Sequence, residues 1–346
     1  MKNANNRLTE WVINKIKKEY PDDIALLIAV DNASINNDGH GEPFDYFIPS
    51  TERGNELSQT FIIGGVGNDL YPRSWERTER TAALDDLATP CLGDARILYS
   101  RSKEDEERFE TIRKSLFKNL ADPVFAYKKA LENLDVAMDL YKAMMFEDRL
   151  YRVRGLAGYI HYYLTISVGC LNGTYRKDWH NGVVKEISQW PELPSQFIEN
   201  YQAILSAKTE NELKNLVHSL ITSSRQFIAR FKPQNSCEAK KPDYNWLADW
   251  YQELRTWWNR LYYFCERKDS DAVFREACQL QSELDIVGTE FEIAEMDLLG
   301  CFDVENLTLL SSRASELEKM IVSIIESNGI TIKNYDTVEE FLAAEK

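Results

Sequence analysis

This 346-residue chain is poor in histidine, in paired cysteine, in long apolar runs and in excess positive charge. The four histidines (His40, His161, His180 and His218) form no HxH or HxxxH spacing, which argues against a metal site built on imidazole. The six cysteines (Cys91, Cys170, Cys237, Cys265, Cys278 and Cys301) lie far apart with no CxxC pair. That is neither a disulfide framework nor a zinc pattern, and it predicts reduced thiols in a cytoplasm. No stretch approaches the roughly 20 apolar residues of a membrane span, and the N-terminus opens into an amphipathic segment rather than a signal peptide's apolar core. The expectation is no membrane partner. Basic residues number 41 against 56 acidic ones, a formal net charge of −15. Sequence-independent nucleic-acid binding needs a basic footprint, so nucleic acid is not an expected partner. A local basic pocket for a small polyphosphate stays compatible with this balance.

What is present belongs to a folded protein: 44% hydrophobic and 28% charged residues, over a length that suits two ordinary domains. Residues 7–20 carry Leu8, Trp11, Val12, Ile16 and Tyr20 near the helical period. Ile24–Val30 is a seven-residue apolar run between turn residues, as expected of a fully buried strand. Phe44–Ile48 reads as the next strand and is stopped by Pro49. Thr60–Ile63 and Val66–Tyr71 flank Gly64-Gly65, a hairpin signal because tight two-residue turns need positive φ. The same glycines have a second reading, a phosphate-cradling loop, but no helical pattern opens directly after them. Ala95–Tyr99 completes the strands.

From about Ser102 the period becomes helical, through 104–120, 123–147, 150–171, 194–207, 209–231, 243–267, 270–295 and 305–328. The expected architecture is α+β: a small mixed-sheet domain over residues 1–103, then a large helical bundle over 104–346. The proline-bearing stretch 232–243 is a possible subdivision of that bundle. The stripes Trp246, Trp250, Leu254, Trp257, Leu261 and Tyr251, Trp258, Tyr262 read as core or interface rather than a base-stacking platform.

Chemistry concentrates in the first domain. Asp45 sits among Phe44, Tyr46 and Phe47, and Asp69 lies between Val66 and Leu70-Tyr71. Carboxylates in apolar strands are costly unless paired, hydrogen-bonded or bound to a hard cation such as Mg²⁺. The alternative is that both stand at strand edges facing water. The polar loop Asp31-Asn32-Ala33-Ser34 follows the buried strand and offers hydrogen bonds to phosphates.

The order helix, buried strand, polar loop, strand with aspartate, hairpin, strand with aspartate resembles the nucleotidyltransferase superfamily of DNA polymerase β type. Within it, the sequence is most similar to bacterial aminoglycoside or lincosamide nucleotidyltransferases. Their fingerprint is a hydrophobic residue, Gly-Ser, about ten residues, then Asp-hydrophobic-Asp-hydrophobic, with a third Asp on a later strand. Here Val30 ends the strand, Asp31-Asn32 take the Gly-Ser positions, residues 33–42 follow, and Pro43-Phe44-Asp45-Tyr46 take the Asp-hydrophobic-Asp-hydrophobic positions. Asp69 supplies the later carboxylate. Asn172-Gly173-Thr174-Tyr175-Arg176-Lys177 resembles the Asn-x-x-Tyr-x-Lys ending of their helical domains.

The departures are specific. Asp31-Asn32 place a carboxylate where triphosphate oxygens belong, and Pro43 has no side-chain oxygen to serve as the first metal ligand. Glu42 is adjacent, but a one-residue shift along a strand sends its side chain to the opposite face unless a bulge returns it. The resemblance implies transfer of NMP from a Mg²⁺-bound nucleoside triphosphate, ATP being the expected donor, to a hydroxyl of a small, antibiotic-like acceptor. Asp45, Asp69 and, through a bulge, Glu42 would bind metal, with Asp45 and Asp69 as the catalytic pair. Asn32 and Ser34 would contact phosphate, and Arg73 and Arg77 would neutralise charge unless they are ordinary surface arginines. The rival implication is a catalytically impaired descendant that serves as a nucleotide-binding or protein-interaction module. Neither reading specifies an oligomeric state.

Overall fold

The computed structural model describes residues 2–30, 44–177, 182–233 and 242–344, with side chains from Arg7 onward. The chain is α+β, a five-stranded mixed sheet followed by helices. It forms two compact units, Met1–Asn235 and Ser236–Lys346.

In the first unit, α1 (Lys2–Glu19) leads into β1 (Ile24–Val30), all seven residues of which are buried. A strand without polar alternation must be covered on both faces, and this one is. On one face Ala25, Leu26 and Ile28 join Tyr46, Ile48 and Phe109. On the other, Ile24 and Leu27 join Val12, Ile16, Phe47 and Leu70. β1 pairs antiparallel with β2 (Tyr46–Pro49) on one side and with β5 (Ala95–Ser100) on the other. β4 (Val66–Pro72) runs parallel to β2, and β3 (Gln59–Ile63) closes the order β3-β4-β2-β1-β5. Gly64 and Gly65 have φ of +58° and +82°, so they make the β3–β4 turn.

Two short helices, α2 (Trp75–Ala82) and α3 (Pro90–Gly93), lie between β4 and β5. The change of period at Ser102 has a local cause: the Ser102 hydroxyl accepts from the Asp105 N–H, and Glu104, Asp105 and Glu106 fill the first turn of α4 (Lys103–Ala121). Phe109, Leu116 and Leu120 of α4 pack on the sheet, so its core continues past residue 103. Asp122 caps α5 (Pro123–Met145), whose first residue is proline. α5 packs with α6 (Leu150–Leu171), α7 (Val183–Ile187), α8 (Phe197–Ser206) and α9 (Glu210–Ala229) around Val153, Ile160, Leu164, Phe197 and Leu220.

The second unit holds α10 (Tyr244–Arg267), α11 (Ser270–Glu290), α12 (Leu307–Ser327) and the exposed α13 (Val338–Ala344). Its core takes Leu247, Trp250, Tyr251, Leu254, Trp258 and Leu261 from α10, so the aromatic stripes belong largely to packing. Among the described residues no helix is long and apolar enough to cross a membrane.

Candidate functional site

β2 and β4 run side by side, with Tyr46 opposite Tyr71 and Phe47 opposite Pro72. Alternation along β4 puts Asp69 on the same face as Tyr71. β2 begins at Tyr46, one residue later than a strand with Asp45 inside it requires, yet the Asp45 N–H still donates to the Ile28 carbonyl at 2.8 Å. The backbone of Asp45 is therefore held by β1 while its half-buried side chain turns toward Tyr71.

Asp45 Oδ1 accepts from the Tyr71 hydroxyl at 3.2 Å, and Oδ2 accepts from the Cys91 thiol at 3.5 Å. Burial raises the Asp45 pKa above the usual carboxylate range. The Cys91 and Tyr71 hydrogen bonds and the Arg73 guanidinium work downward, and Asp69 pushes it up again. Burial, and then the Asp45 charge, push the Cys91 thiol up to about 12, and the same two causes raise Tyr71. Both are neutral donors to Asp45, and Cys91 is not a ready nucleophile. Asp69 is exposed and makes no side-chain hydrogen bond or ion pair among the described residues.

Arg73 is not a surface arginine. It is 2% exposed, donates to Thr81 Oγ1 at 2.9 Å, lies 3.5 Å from Asp86 Oδ1 and stacks over the Tyr46 ring. Arg77 is half exposed and pairs with Asp86 Oδ2 at 2.7 Å. Burial works to raise Asp86, but Arg77, the Ala88 N–H and Arg73 outweigh it and hold the carboxyl below its usual range. Asn32, Ser34 and Glu42, with Asp31 and Pro43, lie outside the described residues.

Asp45, one residue before β2 and half-buried with a raised pKa and no ion pair, and Asp69, on the neighbouring β4, are the carboxylates that could hold a hard cation completed by water or phosphate oxygens. Among the described residues no group of three or more His, Cys, Asp or Glu side chains gathers to hold a metal.

Beside Asp86 the chain opens into a small pocket of about 40 Å³, where Leu84, Leu87 and Thr89 face Tyr162, Ile166 and Cys170 of α6. Leu87, Tyr162 and Arg176 also line an open groove of about 730 Å³ that continues along α6 toward Tyr201 of α8. His161, at the inner wall, stacks on Tyr201 at 3.7 Å, and burial, then Arg176, lower its pKa to about 3, so it is a neutral imidazole.

The Asn-x-x-Tyr-x-Lys residues have structural partners. Asn172 and Gly173 (φ +64°) end α6, and Asn172 exchanges hydrogen bonds with the Glu192 backbone. Burial, then Asp94, raise the Tyr175 pKa, and its hydroxyl stands where a Cβ on Gly93 would be, 2.0 Å away. Tyr71, Cys91 and Asp86 were not expected at the site. No local signal marks them, because Cys91 reaches Asp45 across 46 residues of sequence.

No family model matches the chain, and no curated protein matches it. Among solved structures it is similar to a nucleotidyltransferase-like protein from Exiguobacterium sibiricum 255-15, with a TM-score of 0.34 and 13% identity over 64% of this chain and 74% of that one. A likeness of that degree carries no argument about activity.

Proposed function

We propose that the chain binds a Mg²⁺–nucleoside triphosphate at the face carrying Asp45 and Asp69, and transfers its nucleotidyl group to a hydroxyl of a small molecule. The observation that carries this reading is Asp45: a half-buried carboxylate beside a second one, met by neutral donors and by no paired cation. Mg²⁺ would offset both charges and present the phosphates, and when bound it supplies charge neutralisation during phosphoryl transfer. Arg73 supports the corner by holding Tyr46 and Asp86 in place; Arg77 is closer to solvent, where it would contribute charge at the rim only by giving up part of its pair with Asp86. Asn32, Ser34 and Glu42 complete the proposed phosphate and metal contacts on the resemblance alone.

A second reading, binding without chemistry, draws on one observation: both oxygens of Asp45 already accept a hydrogen bond, from Tyr71 and Cys91. Calorimetry with ATP tests the first step for both readings. Binding is expected only with Mg²⁺, and Asp69→Asn is expected to weaken it at least about tenfold. Equal binding with and without metal would sink the carboxylate site. Pyrophosphate release in the presence of hydroxyl acceptors then separates enzyme from module, and Glu42→Gln stops that release if Glu42 is the missing ligand.

A further inference from the structure

β3 is an outer strand of the sheet, and among the described strands none pairs with its outer edge. Its turn fixes which groups that edge offers. Ile63 and Val66 flank Gly64-Gly65, and as the closing pair of a two-residue hairpin they exchange backbone hydrogen bonds. Alternation then gives Gln59 and Phe61 to β4 and turns the N–H and C=O of Thr60 and Ile62 outward. The Ile62 side chain is 76% exposed, and the residue opposite it is Gly67, where a Cβ would meet nothing within 4 Å. Ile63 and Val66 are half exposed as well, and Trp11 of α1 stands partly exposed against Phe61.

Sheet edges are ordinarily blunted by a charge, a proline or a bulge, since an unpaired strand recruits another. The opposite edge follows that rule: β5 carries Arg96, and its pairing with β1 shifts register between Leu27 and Ile28. β3 has none of these devices, and its pairing with β4 is regular throughout. From Gln59 to Asn68 no residue is charged, in a chain of net charge −15. Two such chains repel one another, and they meet at least cost where that charge is absent. We infer that the β3 edge is an interface for a second copy of this chain, paired antiparallel about a two-fold axis at Phe61. In that register Thr60 of each copy lies opposite Ile62 of the other, and every outward N–H and C=O named above is bonded. The two five-stranded sheets then run on as one. Because both copies use the same patch, the association closes at a dimer. A two-fold strand pair needs only one sequence, and this one supplies outward backbone groups, apolar side chains and absence of charge to both sides. The inference stands apart from the nucleotide site.

Sedimentation equilibrium of the full chain tests it, and the expected result is twice the chain mass as concentration rises. Ile62→Lys sets a charge on the edge at an exposed position, and should weaken the dimer at least about tenfold while far-ultraviolet circular dichroism is kept. Phe61→Cys places two thiols across the axis as a non-hydrogen-bonded pair, whose Cα atoms, about 4.5 Å apart, suit a disulfide. Under mild oxidation that variant should cross-link as a dimer and the parent, with its six cysteines, should not. If Phe61→Cys fails to fold, Ile62→Lys carries the test. Asp69→Asn should leave the dimer intact, so failure of the nucleotide site and failure of the interface are distinguishable. A parent that stays monomeric at every concentration would overturn the inference. So would a dimer untouched by Ile62→Lys, a folded Phe61→Cys dimer that does not cross-link, or association that grows past two copies.

Discussion

Each of the two units holds a carboxylate between two neutral side-chain donors, and the two are completed differently. In the second unit Glu318 accepts from Tyr251 at 2.9 Å and from Tyr262 at 2.8 Å, and Arg255 closes the set with an ion pair at 2.8 Å. In the first, Asp45 accepts from Tyr71 and Cys91, while the nearby Arg73 is turned to Thr81 and Asp86, and the neighbouring charge is Asp69. The Glu318 cluster is electrically complete and belongs to the fold. Among the described residues Asp45 has no ion-pair partner, Arg73 acting on it only from a distance, and its burial and Asp69 both disfavour the charged form. Such a corner costs stability, and whether it is kept for packing or for the proposed cation is what the following variants separate.

The largest effect that would break this comparison comes from the complete cluster. Glu318→Ala strands two part-buried tyrosine hydroxyls and removes the partner of Arg255. It should destabilise the second unit by about 3 kcal/mol, since hydrogen bonds to a charged group contribute roughly 1.5–3 kcal/mol each. Hydrogen exchange in α10 and α12 reads the loss, and the β1 amides should not change. Equal loss of protection in β1 would mean that the two units do not respond separately.

A second effect sharpens the contrast by pH. His161 is buried in the first unit with a pKa near 3 against an ordinary 6.5, lowered by burial and then by Arg176. Between those values the unfolded chain binds the extra proton, so the contribution of His161 to stability is fully present above pH 6.5 and is lost as pH falls toward 3. At pH 5 the loss is about 2 kcal/mol, from roughly 1.36 kcal/mol per pH unit. His161→Phe keeps the stack on Tyr201 and titrates nothing. Urea denaturation at pH 7 and pH 5 should therefore show a smaller acid loss in the variant, and identical pH dependence would remove His161 as the cause.

Much of the fold is legible in sequence because its causes are local. The buried strand at Ile24–Val30 and the Gly64-Gly65 hairpin follow from apolar continuity and from positive φ. The helix starts at Ser102 and Asp122 follow from side-chain oxygens that cap the next turn. α2 escaped notice because eight mostly polar residues, WERTERTA, give too short a period to detect. The corner itself was legible only in Asp45 and Asp69. Its neutral donors, Tyr71 and Cys91, and the burial of Arg73 arise from tertiary packing, which no spacing reports. The α6 groove was hidden for the same reason: Arg154 and the rings and glycines of α6 are ordinary helical residues, and Arg176 an ordinary loop residue, until Leu87 and Tyr201 are brought opposite them.

The smallest effect has the opposite sign, and it decides what the comparison means. Asp45→Asn keeps the size of the side chain and its ability to accept from Tyr71, while removing a charge that burial and Asp69 oppose. If the corner serves packing, the variant should lose stability, as Glu318→Ala is expected to, because a charge-assisted acceptor has been weakened. If the corner is kept for a cation, the variant should be as stable as the parent or more so, by about 1 kcal/mol, the common gain when a strained site is relieved. Mg²⁺-dependent ATP binding should fall in that same variant. Melting temperature and calorimetry on one sample give both readings together. Stability raised with nucleotide binding lost marks Asp45 as a ligand-binding group, whereas stability lost with Mg²⁺–ATP binding unchanged would make Asp45 a second Glu318.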